Sequence, residues 1–141
     1  MDFDLSEEQK GIQKAADEFA RGEFDKEVAL ELDRNHQYPF DILKKACRLG
    51  FIGIHYPEKY GGQGYGILEN ALIVEAFCRR DSGIGVVLSI ANFSSEIILR
   101  FGNEDQKKKY LIPITRGEMI SAGAFTEPDH GSDITSLRTT A

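Results

Sequence analysis

Fourteen consecutive residues, Ser82 to Ser95, contain no Asp, Glu, Lys or Arg. The stretch just before them, Leu68 to Phe77, is apolar nearly all round and is interrupted by Glu69, Asn70 and Glu75. A helix that is apolar on every side belongs in a protein centre, with neighbours on more than one face. Two such segments, jointed at Asp81-Ser82-Gly83, predict a mainly α fold: a helical bundle in which these two are the interior members.

The flanking sequence supplies helices with one apolar side. Ser6 and Gln9 form a capping-box pattern, with Glu7 and Glu8 where a helix start favours negative charge. Ile12, Ala15, Ala16, Phe19 and Ala20 then recur at three and four residues, and the pattern continues past a break near Gly22 through Phe24, Val28 and Leu32. A second start lies at Tyr38-Pro39, since proline suits the first helical position. Phe40, Leu43, Ala46 and Cys47 share a face there, and Gly50 suits the position just past the end. Residues 51–66, with Pro57 and Gly61, Gly62, Gly64 and Gly66, read as a long shaped loop. Asn103 caps a later helix, with Glu104 and Asp105 first and Lys107, Lys108 and Lys109 after them, in the order the macrodipole prefers.

After Pro113 the period changes. Met119 to Phe125 reads as a strand, and Glu127 to Asp133 as a polar turn with Pro128 at its second position. A lone strand cannot satisfy its backbone, so the expectation is a helical domain over 1–117 and the truncated start of a second domain over 118–141.

Composition narrows the function classes. At 141 residues and 28% charged the chain is an ordinary globular length, and its formal charge of −6 argues against a phosphate-neutralising nucleic-acid binder. No apolar run reaches membrane-spanning length. Cys47 and Cys78 form no disulfide or zinc pattern, and the acidic start has no secretory core, so a reducing compartment is expected.

Candidate sites are few. Gly62-Gln63-Gly64-Tyr65-Gly66 invites a dinucleotide-loop reading, but the glycine spacing fails and no βαβ pattern follows, which favours a structural turn. Glu127 to Asp133 lacks the ligand spacing of a calcium loop or zinc protease. It is either a plain surface turn or a place where Thr126, Gly131 and Ser132 offer hydroxyl and backbone donors to an anion. Glu75 and Glu96 read as partnered carboxylates, and His36 and His55 have no nucleophile nearby in sequence.

Taken together, four ordered segments resemble the flavin-dependent acyl-CoA dehydrogenase family. They are Phe3 to Phe19; Leu49-Gly50-Phe51 with Pro57-Glu58-Lys59-Tyr60-Gly61-Gly62-Gln63-Gly64; Phe101 to Lys107 with Tyr110-Leu111-Ile112-Pro113 and Gly117-Glu118; and Ala124-Phe125-Thr126-Glu127-Pro128 with Gly131-Ser132-Asp133. Phe125 and His130 stand where the family prefers an aliphatic and a small residue.

The resemblance implies a helical domain leading into a β-barrel domain, FAD as cofactor, and oxidation of an acyl-CoA to the 2,3-enoyl-CoA. It implies that Ala124, Phe125 and Thr126 lie along the isoalloxazine and that Gly131 and Ser132 meet the pyrophosphate, Ser132 also touching CoA. Val86, Ser89, Ile90 and Phe93 become an acyl-tail wall, with plain core packing as the alternative. The expected partners are an acyl-CoA substrate, an electron-transfer flavoprotein as electron acceptor and further copies of the chain, in the cytoplasm or, in a eukaryote, the mitochondrial matrix. The family's base comes from a C-terminal domain with no counterpart here, so no catalytic residue is assigned and the isolated chain is expected to be inactive. Rival readings are an oxidase or flavin monooxygenase on the same fold, or a non-catalytic helical interaction module.

Overall fold

The computed structural model describes residues 4–140. Phe3, where the resemblance to an opening helix begins, and Ala141 lie outside the described residues. Seven α-helices are described: α1 (Glu7–Glu23), α2 (Lys26–Arg34), α3 (Phe40–Arg48), α4 (Ile67–Arg80), α5 (Ser82–Ser89), α6 (Ser95–Phe101) and α7 (Glu104–Thr115). A 3₁₀ turn, Glu58–Tyr60, sits in the glycine-rich loop, and another, Ile134–Ser136, near the end. The fold is mainly helical, and no barrel is present among the described residues.

The helix starts follow from local chemistry. Ser6 accepts from the Gln9 amide at 3.1 Å while the Gln9 side chain accepts from the Ser6 amide at 2.9 Å, the reciprocal box expected of them. Asn103 and Gln106 repeat it at 2.9 Å in both directions. The break expected near Gly22 falls at Phe24-Asp25, because the Asp25 carboxylate accepts from Glu27 and Val28 and starts α2. Proline is the cap of α3 rather than its first residue, and Phe40 is exposed while Ile42 joins Leu43, Ala46 and Cys47 inside.

The core runs through α1, α3, α4 and α5. Phe19, Phe24, Phe51 and Phe77 form an aromatic cluster with ring centroids 5.3–6.0 Å apart, and Leu43, Ile54, Ile73 and Leu88 complete it. A smaller cluster of Tyr56, Tyr60 and Leu111 lies under α6 and α7. α4 packs against both α1 and α5 and buries Leu72, Ile73, Ala76 and Phe77. Ile67 and Leu68 are exposed at its start and α5 leaves Val86 exposed, so neither helix is enclosed on every side as its composition predicted. Gly85 lets α5 close on α4, since a Cβ there would stand 2.7 Å from the Cys78 backbone nitrogen.

Two further expectations are corrected. The uncharged run is not one helix. α5 ends at Ser89, and residues 90–94 form a turn before α6. Nor is Met119–Phe125 a strand. Among the described residues it makes one isolated parallel bridge, Ser121 with Asn92. Without a neighbouring strand its donors and acceptors have no ladder to join, so it lies as extended chain on the α5–α6 turn.

Candidate functional site

The site is built where the α5–α6 turn meets the chain leaving α7. Asp81 caps α5 by accepting from the Ile84 amide at 2.8 Å. With Ile84, Gly85 and Leu88 buried, α5 leaves Val86 and Ile90 on its open side. Phe93 continues that side through the turn, and so do Ile97 and Phe101 on α6, the last of them 82% exposed. Exposed apolar side chains therefore recur along both short helices and the turn between them.

Against some of these side chains lies the segment after α7. The Ser121 amide donates to the Ala91 carbonyl at 2.8 Å. Phe125 then sets its ring edge-on to Phe93, with centroids 5.7 Å apart and planes at 80°, the arrangement that ring quadrupoles prefer. Gly123 is required at this approach. A Cβ would meet the Ser94 hydroxyl at 2.4 Å and the Phe125 ring at 2.5 Å. Beside the contact is an apolar cavity of about 330 Å³, lined by Tyr38, Ile90, Ala91, Phe93 and residues 120–123. The Tyr38 hydroxyl donates to the Val87 carbonyl at 3.2 Å, and burial pushes its acidity down, keeping the phenol neutral.

Beyond Phe125 the chain turns. Glu127 and His130 exchange both backbone bonds, at 2.9 and 3.2 Å, which is the expected turn around Pro128. Gly131 and Ser132 follow, both exposed. Nothing lies within 4 Å of where a Gly131 Cβ would be, so a bulky anion has room to approach that backbone. The donor set suits a phosphate group. Asp133 accepts from the Thr135 amide at 3.2 Å and from the Thr135 hydroxyl at 2.6 Å.

The sequence-named residues therefore divide. Val86, Ile90 and Phe93 share one open side, Phe125 touches it, and Ala124, Thr126, Gly131 and Ser132 lie exposed along the next stretch of chain. Ser89 stands apart: its hydroxyl donates to the Gly85 carbonyl at 2.6 Å and it faces a small void beside Phe51, Ile73 and Phe77. Ile97, Phe101, Tyr38 and Ile120 were not foreseen. Ile97 and Phe101 lie on α6, beyond the turn at residues 90–94, so the spacing counted from Val86 does not reach them. A larger cavity of about 570 Å³ lies elsewhere, between α1 and the glycine loop, lined by apolar side chains and two rim glutamates, Glu8 and Glu18.

The glycine loop is a structural turn. The Gln63 side chain donates to the Gly50 carbonyl at 2.9 Å, and Tyr65 donates to Glu8 at 2.8 Å. Glu75 pairs with Arg79 at 2.7 Å, while Glu96 faces both Arg100 and the buried His55 ring. Among the described residues no group of three His, Cys, Asp or Glu is placed to hold a metal ion. Nor is any described helix long and apolar enough to cross a membrane.

Comparison with known proteins decides the family. Residues 6–118 match the model of the acyl-CoA dehydrogenase N-terminal domain. The chain belongs to the acyl-CoA dehydrogenase family. It is 38% identical, over its whole length, to an acryloyl-CoA reductase (NADH) of Anaerotignum propionicum, of which it covers 36%. It superposes with a TM-score of 0.80 on the acyl-CoA dehydrogenase of Bacillus anthracis solved with FAD, at 37% identity, covering 95% of this chain and 23% of that one. A chain in the structure of the electron transferring flavoprotein of Acidaminococcus fermentans, solved toward a mechanism of flavin-based electron bifurcation, gives 0.85 at 40% identity. That match covers 99% of this chain and 37% of the other. This member of the family thus spans about a third of the length of the relatives it matches.

Proposed function

We propose that the chain is the N-terminal portion of an FAD-dependent acyl-CoA dehydrogenase, with residues 1–117 as the helical domain and 118–141 as the entry to the middle β domain. The observation that carries this is the Phe93–Phe125 contact. It joins a residue of the α5–α6 turn to one 32 positions later in the Thr126-Glu127-Pro128 segment. The wall assigned to an acyl tail and the segment assigned to the flavin meet there.

In this reading the chain's residues bind and orient, and the bound flavin supplies the hydride acceptor. Val86, Ile90 and Phe93 hold the alkyl part of the substrate and keep water from it, which a hydride transfer requires. Phe125 and Ala124 lie along the isoalloxazine, and the Thr126 hydroxyl reaches its polar edge. The amides of Gly131 and Ser132 and the Ser132 hydroxyl take the pyrophosphate, Ser132 extending to CoA. The base that removes the α-proton lies outside this chain, so the chain alone does not turn over. Electrons pass to an electron-transfer flavoprotein, and the working protein is a homo-oligomer of the cytoplasm or mitochondrial matrix. Likeness to a solved FAD complex and to a chain in the structure of an electron transferring flavoprotein supports the cofactor and the partner.

The test is anaerobic titration of a full-length protein carrying this segment with saturated acyl-CoAs of graded length. The flavin absorbance bleaches with at least one of them, and a spectrum unmoved by every chain length refutes the proposal. The similarity to an acryloyl-CoA reductase favours one second reading, the same site run toward reduction. Consumption of an enoyl-CoA with NADH as donor, without bleaching by the saturated thioester, selects it.

A further inference from the structure

Glu127 presents a paradox, because it places a carboxylate beside a turn assigned to a pyrophosphate. The geometry resolves it. One Glu127 oxygen accepts from the Arg138 amide at 2.9 Å, and the other accepts from the Thr139 amide at 2.8 Å and from the Thr139 hydroxyl. At its near end the loop is pinned by the Glu127–His130 backbone pair. The carboxylate is thus turned back toward the far end of its own loop and is occupied by three donors there. Within the loop Asp133 does the same on a smaller scale, holding Thr135 and Ser136.

We propose that Glu127 is a positioning residue for the Gly131–Ser132 donor turn: by clamping Arg138 and Thr139 it closes the loop across 12 residues and fixes the direction in which the turn's amides point. The inference rests on the flavin reading above. A loop of this length is otherwise free to sample many end separations, and that entropy must be lost when an anion binds. A loop closed beforehand binds the same anion more tightly because the ordering is already done. The carboxylate's charge is directed at backbone donors that need an acceptor, so it repels a phosphate less than a free surface glutamate at the same position would.

The experiment measures FAD dissociation from the full-length protein by fluorescence quenching, with amide exchange at Arg138 and Thr139 followed without flavin. Glu127→Ala weakens FAD at least tenfold and exposes both amides, while Glu127→Gln, which keeps one carbonyl acceptor, falls between it and the parent. Because Glu127 acts through the donor turn, Glu127→Ala combined with Ser132→Ala weakens FAD by less than the product of the two single effects. Unchanged FAD affinity in Glu127→Ala, when the parent binds FAD, overturns the inference and leaves the flavin reading standing. Weakened FAD with both amides still protected also overturns it. A parent protein that binds no FAD overturns the flavin reading and this inference together.

Discussion

Phe77 is the side chain on which the interior turns. It is 1% exposed, and its ring lies 5.5, 5.3 and 5.6 Å from those of Phe19, Phe24 and Phe51. Truncation to alanine removes the transfer free energy of the ring and leaves a void that fixed neighbours close only in part, about 3–5 kcal/mol for a buried Phe. Three aromatic contacts, each about 0.5–1.5 kcal/mol beyond area, place Phe77→Ala near the upper end, about 4–5 kcal/mol. Phe77→Leu keeps most of the volume and loses mainly the ring geometry, so about 1.5–2 kcal/mol is expected. Domains of this size are stable by about 5–15 kcal/mol in total. The alanine variant therefore loses roughly a third or more of it and melts roughly 15 °C lower. Urea unfolding followed by far-ultraviolet circular dichroism measures both variants. If Phe77→Ala costs under about 1 kcal/mol, or the two variants unfold alike, the aromatic cluster is not what holds α1, α4 and the glycine loop together.

Gly61 has φ +87°, and a Cβ there would stand 2.3 Å from the Thr115 hydroxyl. Gly61→Ala should therefore cost about 2 kcal/mol through strain and overpacking, read as a lowered urea midpoint. Tyr56→Phe removes the hydroxyl that faces buried Ser95, which keeps its bond to the Asn92 carbonyl. A loss of about 1 kcal/mol is expected, and a loss above about 3 kcal/mol would show that Ser95 had been left unsatisfied. Glu127 titrates below the ordinary carboxylate range because the Thr139 hydroxyl and then the Arg138 and Thr139 amides hold its charged form, and the Ser136 and Thr135 hydroxyls do the same for Asp133. A depressed carboxylate gives its hold above the unfolded value and loses it as pH falls through the folded one. The Thr135, Arg138 and Thr139 amide resonances should therefore stay still from neutral pH down to about pH 5 and move only below about pH 4. Movement between pH 5 and 7 contradicts that account.

What could be read from the sequence was what local chemistry decides. The Ser6 and Asn103 boxes, the Asp81 joint and Gly50 at φ +77° each depend on a few adjacent residues, and each stands where expected. The central packing of α4 between α1 and α5 was legible from its composition, though its exposed Ile67 and Leu68 were not. Residues whose surroundings come from distant chain were not legible. The bond from the Ser89 hydroxyl to Gly85 is local, four residues back in the same helix, but that this side faces Ile73 and Phe77 of α4 comes from distant chain. The strand reading of Met119–Phe125 failed for the same reason, since strands exist only as pairs and periodicity cannot supply the second member. Glu127 belongs to a recognisable motif, but its contacts with Arg138 and Thr139 come from chain 11 and 12 residues away and cannot be read from the motif.

α2 differs in kind from the other helices, for none of its residues is fully buried and its Val28 and Leu30 face outward. Its winding is maintained by the Asp25 cap and a partial contact through Ala29. Local opening of α2 is thus nearly uncoupled from global unfolding. Under native conditions a protease should nick the chain at Lys26 or Arg34 well before it reaches α4, and the two pieces should remain associated through the interior that α2 scarcely joins.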